Sequence, residues 1–509
     1  MSTSSATERD VAGPDTSPPT AEPDGGAPPV PGPPRRFRFR LGVAGWAVDR
    51  WFLLIAIPIG VFFVLAIPPT QGIDESAHFI RAWLVSGGDV VARTEIDGNT
   101  GVRHAGGDID ACVIDYVSKF QIRAAEPDDF EPSDYWFDTP PCSPQERGWV
   151  IADAASNYTP LSYAPQVVVL SATRAVGLPV PVSFFGGRLA GLAAFIAVVW
   201  WAIRLAPGGK SVLMVVALLP TTLMSAATYN ADGVADALAI LAVALTASIA
   251  LSSELNRRHL ALLAGALVVL GMIKQPYLVF ALLPFLIPNH LFGRTSVAVV
   301  AKLAIGALVG VASLAWLAVG TPEVEPEVFR AGVDHGAQLK FILQHPFDFL
   351  ATVVRTIAAA GPQSYTLRGI VGSFGMGRYV GRANDVVAPI ISVVFATALL
   401  AVAFGRDAGE RLEGQSPARR LVASVGPLVV TIAGILAVYA SMYLIWAPVG
   451  ADYVTDVQGR YFIPVLAVPV LSLVLRRRPV LPRPSEVWLA GGSTLLLLFA
   501  IGKSFLVFY

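Results

Sequence analysis

Four polar clusters interrupt an otherwise apolar chain, and each carries residue types able to handle a proton, a phosphate or a cation. The first is Pro68-Pro69-Thr70-Gln71-Gly72-Ile73-Asp74-Glu75-Ser76-Ala77-His78-Phe79-Ile80-Arg81. His78 follows Asp74 by four positions, so the two share one face of a short helix. A carboxylate at the edge of a low-dielectric region has a raised pKa and suits general-base catalysis, which makes Asp74 and Glu75 the candidate catalytic pair. The same carboxylates with His78 are ligand types for a divalent cation. Asp74 reads equally as the cap of a helix that starts at Glu75. The second cluster, Tyr229-Asn230-Ala231-Asp232-Gly233-Val234-Ala235-Asp236, sets Asp232 and Asp236 one helical turn apart with Asn230 beside them. Ionisable groups at a membrane face mark a pathway or a site, here assisting an acceptor or a metal; Asp232 also reads as a helix cap.

The third cluster is Lys274-Gln275-Pro276-Tyr277, in the middle of an apolar stretch. A lysine there needs an anionic partner, either a phosphate or a buried carboxylate such as Asp232. The fourth is Gln458-Gly459-Arg460-Tyr461-Phe462-Ile463-Pro464. Arginine grips phosphate bidentately, and Arg460 and Arg188 are both candidates for that work; each also reads as a residue snorkelling at the interface.

The elements that must position these residues are membrane helices. Of the 509 residues 54% are hydrophobic and 15% charged, and mean hydropathy is +0.60. Soluble domains carry about 25% charged residues, so lipid is the solvent, and the zero net charge gives no field for nucleic acid. Residues 1–45 form a Pro-rich tail unable to bury a core, ending in the basic run Arg35-Arg36-Phe37-Arg38-Phe39-Arg40. By the positive-inside rule that end is cytoplasmic, so the loop 69–160 after a first span at 51–68 lies outside. Further spans read at 184–205, 211–228, 233–252, 295–319, 386–404, 421–443, 460–475 and 485–506. Segment 260–291 reads as a hairpin of half-helices turning at Lys274, because proline at depth breaks a helix. Segment 160–178, opened by Pro160 and Pro165, reads as interfacial or re-entrant. This arrangement puts Arg204, Lys210, Arg257, Arg258, Arg294, Lys302, Arg406 to Arg420 and Arg476 to Arg478 on one side. A second outer loop spans 321–385, with an amphipathic stretch around 347–357 and a Gly-rich turn at 372–377. The expectation is an all-α polytopic protein of the bacterial plasma membrane, whose domain 46–509 holds about 11 transmembrane helices, one interfacial or re-entrant helix and two large extracytoplasmic loops.

The two cysteines, Cys112 and Cys142, both fall in the first outer loop, where a disulfide persists and stabilises by roughly 3–4 kcal/mol. Two free thiols are the alternative. Walker A, Gly-x-Ser-x-Gly and metalloprotease motifs are missing.

Taken in order, Asp74-Glu75-x-x-His78, Tyr158-Thr159-Pro160-Leu161-Ser162-Tyr163, Asn230-Ala231-Asp232, Lys274-Gln275-Pro276-Tyr277 and Gln458-Gly459-Arg460-Tyr461-Phe462-x-Pro464 resemble a family of bacterial membrane proteins catalogued as a domain of unknown function. That family in turn resembles the C-type (GT-C) membrane glycosyltransferases. The resemblance covers about 50 to 475. It implies sugar transfer from a polyprenyl-phosphate carrier, with inversion, to an acceptor outside the membrane. Asp74 or Glu75 then stands where that superfamily keeps its base or metal-linked acid, Asp232 at its second acidic site, and Lys274 and Arg460 where the phosphate is held. A divalent cation, magnesium or manganese, at Asp74, His78 and Asp232 is compatible with this. The chain lacks the large soluble C-terminal domain and the Trp-Trp-Asp signature of oligosaccharyltransferases, which favours glycan or cell-wall polymer acceptors over peptides. The competing expectations are a transporter or flippase of lipid-linked envelope intermediates, which predicts a repeat symmetry not found in the sequence, and a non-catalytic scaffold for envelope assembly.

Overall fold

The computed structural model describes residues 47–123, 132–135, 146–322, 324, 331–360, 366, 369–370, 417–475, 491–499 and 501–502. Ala44–Tyr509 forms one compact unit. The first helix, α1 (Val48–Ala66), is 19 residues of almost unbroken apolar sequence, about 28 Å long at 1.5 Å per residue and so able to cross the hydrocarbon core. After a turn, α2 (Glu75–Ser86) leads into loop 69–160. There β1 (Arg93–Ile96), β2 (Arg103–Asp110) and β3 (Arg147–Ile151) make an antiparallel sheet in the order β1-β2-β3, with α3 (Ala111–Arg123) between β2 and β3. This sheet corrects the all-α expectation: β2 is the buried middle strand through Ala105-Gly106-Gly107, and a Cβ on Gly106 would collide with the Val150 carbonyl. Such a Gly-Gly segment has no apolar alternation to announce it as a strand. Cys112, on α3, is disulfide-bonded; Cys142, the other cysteine, lies outside the described residues.

Helix α4 (Ala164–Ala175) has 12 residues, too few to span, in keeping with the reading of 160–178. The next helix, α5 (Val180–Leu205), is 26 residues long. The stretch expected as one span at 211–228 is two helices, α6 (Lys210–Ala217) and α7 (Pro220–Ala227), bent by 61°. Pro220 opens α7, and it cannot donate the backbone bond that would continue α6. Helix α8 (Ala231–Ala250) is the centre of the bundle, with 83% of its most apolar window buried. Alanine dominates it, letting neighbours approach closely; a Cβ on Gly233 would lie 2.8 Å from Ala226 Cα of α7. Helix α9 (Arg257–Ile273) ends at Lys274, whose backbone is extended (φ −145°, ψ 124°), and a 3-10 helix, Gln275–Leu286, follows and packs against α9. The break expected at Lys274 is there. Helix α10 (Thr295–Gly320) is peripheral, with 28% of its window buried.

From loop 321–385 the described helices are α11 (His335–Gln344) and α12 (Pro346–Ala359). The latter is the amphipathic stretch: Phe347, Leu350, Val354 and Ile357 are exposed while Thr352 and Val353 are buried. The acidic residues Glu323, Glu325 and Glu327, the turn at 372–377, the span expected at 386–404 and half of the one at 485–506 lie outside the described residues. Helix α13 (Pro417–Trp446) is long and peripheral. The span expected at 460–475 is segmented instead into a 3-10 helix, Gly459–Phe462, and the short helices Ile463–Leu466 and Val470–Leu475, because Pro464 and Pro469 interrupt it. Among the described residues, five helices are long and apolar enough to cross a membrane, or six if α6 and α7 form one span, against about 11 expected from apolar runs over the whole chain.

The ends of the helices sort consistently. Arg204, near the end of α5, lies 3.9 Å from Asp49 at the start of α1, and Arg419 of α13 donates to the Ala250 carbonyl at the end of α8. The four polar clusters gather at the other end.

Candidate functional site

Asp74 and Glu75 are neighbours in sequence and part company in space. Glu75, the first residue of α2, is fully buried and forms a two-pronged pair with Arg188 of α5, Nε to Oε1 at 2.7 Å and Nη2 to Oε2 at 2.5 Å. Its oxygens also accept the backbone N–H groups of Gly72 (2.9 Å) and Tyr229 (3.0 Å). Arg188 donates further to the carbonyls of Val64, Ile67 and Pro68, the last turn and exit of α1, where a cation satisfies groups the helix leaves open. Glu75 has no face left for a substrate proton, and Arg188 has none for a phosphate. Both expected roles are corrected: the pair clamps α1, α2, α5 and the start of α8.

Asp74 sits just ahead of α2 with a left-handed backbone (φ 54°, ψ 20°) and makes no side-chain cap bond. A non-glycine residue in that region is held there by its surroundings. Its carboxylate turns instead to Arg460, Oδ2 to Nη2 at 2.6 Å. Burial alone would raise the Asp74 pKa, but the charge and hydrogen bond of Arg460, with His78 and Lys274 in support, hold it below the usual carboxylate value. The raised pKa expected from its position is therefore corrected: a cation outweighs desolvation.

Asp232 lies in the first turn of α8, capped not by its own side chain but by Asn230, whose Oδ1 accepts the Asp232 N–H at 2.6 Å. Asn230 Nδ2 donates to the Ile73 carbonyl at 3.1 Å. Asn230 thus ties the start of α8 to the Asp74 turn, a positioning task rather than contact with an acceptor or metal. Freed from capping, Asp232 pairs with Lys274 through Oδ1 and with Arg460 Nε through Oδ2 at 3.4 Å. Asp74, Asp232, Lys274 and Arg460 thereby make a quartet of two anions and two cations. Arg460 Nη1 is buried and without a hydrogen-bond partner among the described residues. Asp236, one turn further into α8, is buried, and among the described residues neither of its oxygens is hydrogen-bonded or ion-paired.

Aromatic rings surround the cations. Lys274 Nζ stands 4.3 Å above the Tyr461 ring and 5.8 Å from that of Tyr158; Tyr277 Oη donates to the Tyr461 carbonyl at 3.1 Å. His78 lies 5.1 Å from the Tyr158 ring, and its Nδ1 is 2.5 Å from the Tyr163 hydroxyl. Burial pushes the His78 pKa down to about 4, with Asp74 and Asp232 opposing and Arg460 and Lys274 reinforcing that shift. The role of Tyr163 was not legible beforehand, although its motif was; nothing in a tyrosine's sequence neighbours names a histidine 85 positions away.

Asp74 and Lys274 of the quartet face a cavity of about 550 Å³, with Asp232 and Arg460 buried behind them. Asp74, His78, Lys274, Tyr158 and Tyr461 line one part, Val438, Met442, Ile445 and Trp446 of α13 another. Its roof, through Asp153 and Asn157, belongs to loop 69–160. That roof is anchored: Asp153 accepts the Ala105 N–H at 2.6 Å and lies 2.7 Å from His104 Nδ1, while Trp316 of α10 donates to the Asn157 carbonyl at 2.9 Å. Asp456, also at the cavity, has a positive φ (55°) as Asp74 and Thr70 do, which the sequence did not suggest.

The donor set does not suit a divalent cation. Asp74, His78 and Asp232 form no metal-holding group among the described residues, both carboxylates are committed to cationic side chains, and a further positive charge would have to displace them.

The chain belongs to the family described as Predicted membrane protein (DUF2142), whose model matches residues 58–468. No curated protein and no solved structure matches it.

Proposed function

We propose that this protein is an inverting membrane glycosyltransferase that moves a sugar from a polyprenyl-phosphate donor to a cell-envelope glycan or polymer on the extracytoplasmic side. The observation that carries this reading is the cavity: Lys274 and the Asp74 carboxylate, itself paired with Arg460 behind it, at one part of its wall and an apolar helix face at another. A lipid-linked sugar phosphate has the same division, anionic headgroup beside hydrocarbon.

The neutral quartet supplies the mechanism. Phosphate oxygens compete with carboxylates for Arg460 and Lys274, and an arginine binds phosphate through the same bidentate geometry; Arg460 Nη1, buried, has no hydrogen-bond partner among the described residues. As Arg460 turns to phosphate, Asp74 loses the cation that holds its pKa down and becomes a stronger base. The acceptor hydroxyl oxygen attacks the anomeric carbon opposite the phosphate. The carbon–oxygen bond to phosphate breaks with its electron pair passing to the phosphate oxygen, and the hydroxyl proton goes to Asp74. Donor binding thereby arms the base, which restrains the carboxylate until a donor is present. No metal takes part in these steps.

The test is transfer of labelled sugar from a synthetic polyprenyl-phosphate donor by purified protein in lipid nanodiscs. Transfer lost in Asp74→Asn at unchanged folding supports the reading. Full transfer in that variant overturns the base assignment, and translocation of the donor lipid with no transfer by the wild type replaces the reading with transport.

A further inference from the structure

His78 lines the cavity, yet the steps above leave it without a task. Its surroundings determine which ring nitrogen carries the proton. Nδ1 is 2.5 Å from the Tyr163 hydroxyl, and both side chains are buried. One of the two must donate. Among the described residues the Tyr163 oxygen has no other hydrogen-bond partner, so if Nδ1–H were the donor, the phenolic proton would be left buried and unbonded, which is costly. If instead the hydroxyl donates, Nδ1 accepts, the phenolic proton is bonded, and the imidazole hydrogen resides on Nε2. Burial raises the Tyr163 pKa well above its ordinary value, so the hydroxyl keeps its proton. Nε2 itself has no protein partner among the described residues.

We propose that the Tyr163 hydroxyl locks His78 in its Nε2–H tautomer, making His78 a neutral hydrogen-bond donor to a substrate oxygen in the cavity. Tyr163 is then a positioning residue. It lies on a different element from His78, the 3-10 helix Pro160–Tyr163, whose first turn is capped by Thr159, and Tyr158 next to that helix accepts a weak bond from buried Arg81 of α2 through its carbonyl (3.4 Å). The two elements are therefore braced against each other, and the ring has little room to turn. The lock has a second consequence: Nε2, protonated, offers no lone pair to a metal. For the substrate the chemistry is a hydrogen-bond-accepting oxygen, either of a phosphate or of a sugar hydroxyl; its use in transfer rests on the glycosyltransferase reading, whereas the tautomer does not.

The test begins with nitrogen-15 NMR of the full chain, labelled at histidine and held in nanodiscs near neutral pH, the His78 signals being those lost in His78→Gln. The expected result is a neutral ring protonated at Nε2. An Nδ1–H ring, or an imidazolium, overturns the proposal. In Tyr163→Phe the signals should move toward a mixture of tautomers, and unchanged signals in folded protein overturn the lock; should that variant not fold, the wild-type spectrum alone decides. In transfer assays with the synthetic polyprenyl-phosphate donor, His78→Gln, whose amide nitrogen sits near Nε2, should outperform His78→Asn by about tenfold, the worth of one hydrogen bond to a polar ligand. Equal loss in both, or a better Asn variant, removes the donor role. To tell the oxygens apart, inorganic phosphate is titrated into wild type: movement of the Nε2 signal assigns the bond to phosphate, and movement only with an added oligosaccharide acceptor assigns it to a hydroxyl. Movement with neither overturns the substrate contact. Wild-type protein that transfers nothing defeats the glycosyltransferase reading and leaves the tautomer to the spectrum.

Discussion

Asp74 and Arg460, 386 positions apart, meet at 2.6 Å, while Glu75 and Arg188, each a rival for the same work, close on each other in the fully buried interior. The first pair borders a cavity through Asp74 and the second borders nothing but protein. The contact also requires the turn after α1 and the 3-10 helix at Gly459 to lie at the same end of the bundle.

The two carboxylates should separate cleanly under substitution. Glu75→Gln leaves Arg188 buried without its counter-charge and should cost about 3–5 kcal/mol of stability, visible as loss of monodisperse protein or a large drop in melting temperature. Asp74→Asn, at a partly exposed position, should melt close to wild type. A Glu75→Gln protein as stable as wild type would contradict the clamp.

In the transfer assay Asp74→Asn should slow turnover by about 10²–10⁴-fold, the range for loss of a general base. The measurement is initial rate at saturating donor, with the donor's own binding followed separately. Retained turnover with weakened binding would make Asp74 a binding residue instead.

The Lys274–Asp232 pair invites a double-mutant cycle. Lys274→Met alone leaves Asp232 buried with only the 3.4 Å contact to Arg460 and should destabilise by about 3 kcal/mol, whereas Lys274→Met with Asp232→Leu should recover most of that loss. Thermal melts of the two singles and the double decide it; purely additive losses would show the pair to be uncoupled.

Stability should depend on pH through His78. Its native pKa is pushed down to about 4 from 6.5, so between those values the unfolded chain binds a proton that the native state refuses. The contribution of the neutral ring is then complete above about pH 6.5 and is lost as pH falls toward 4, by about 3 kcal/mol at 1.36 kcal/mol per pKa unit. Melting temperature measured across that window should fall less steeply in His78→Gln. Parallel curves for the variant and wild type would count against a buried neutral histidine.

Much of the architecture follows from local physics. Apolar runs of about 20 residues in α1, α5, α8, α10 and α13 announce themselves because lipid admits little else, and the break at Lys274 follows from proline's missing donor. The sheet in loop 69–160 escaped notice because Gly106 and Gly107 carry no side-chain pattern. The bend at Pro220 and the segmentation after Arg460 shortened what hydropathy had run together.

What the amino-acid order by itself determined is the solvent of this protein, the helix break at Lys274, and the four polar clusters from which a site is drawn. Which members of those clusters face the cavity was decided only by tertiary structure. The left-handed turn at Asp74 and the advance of about 100° per residue around a helix send adjacent carboxylates in different directions, and no periodicity can say which of two arginines, 188 or 460, each will find. Hydropathy is a property of residues, but a charge pair buried inside the protein is a property of the distance between them.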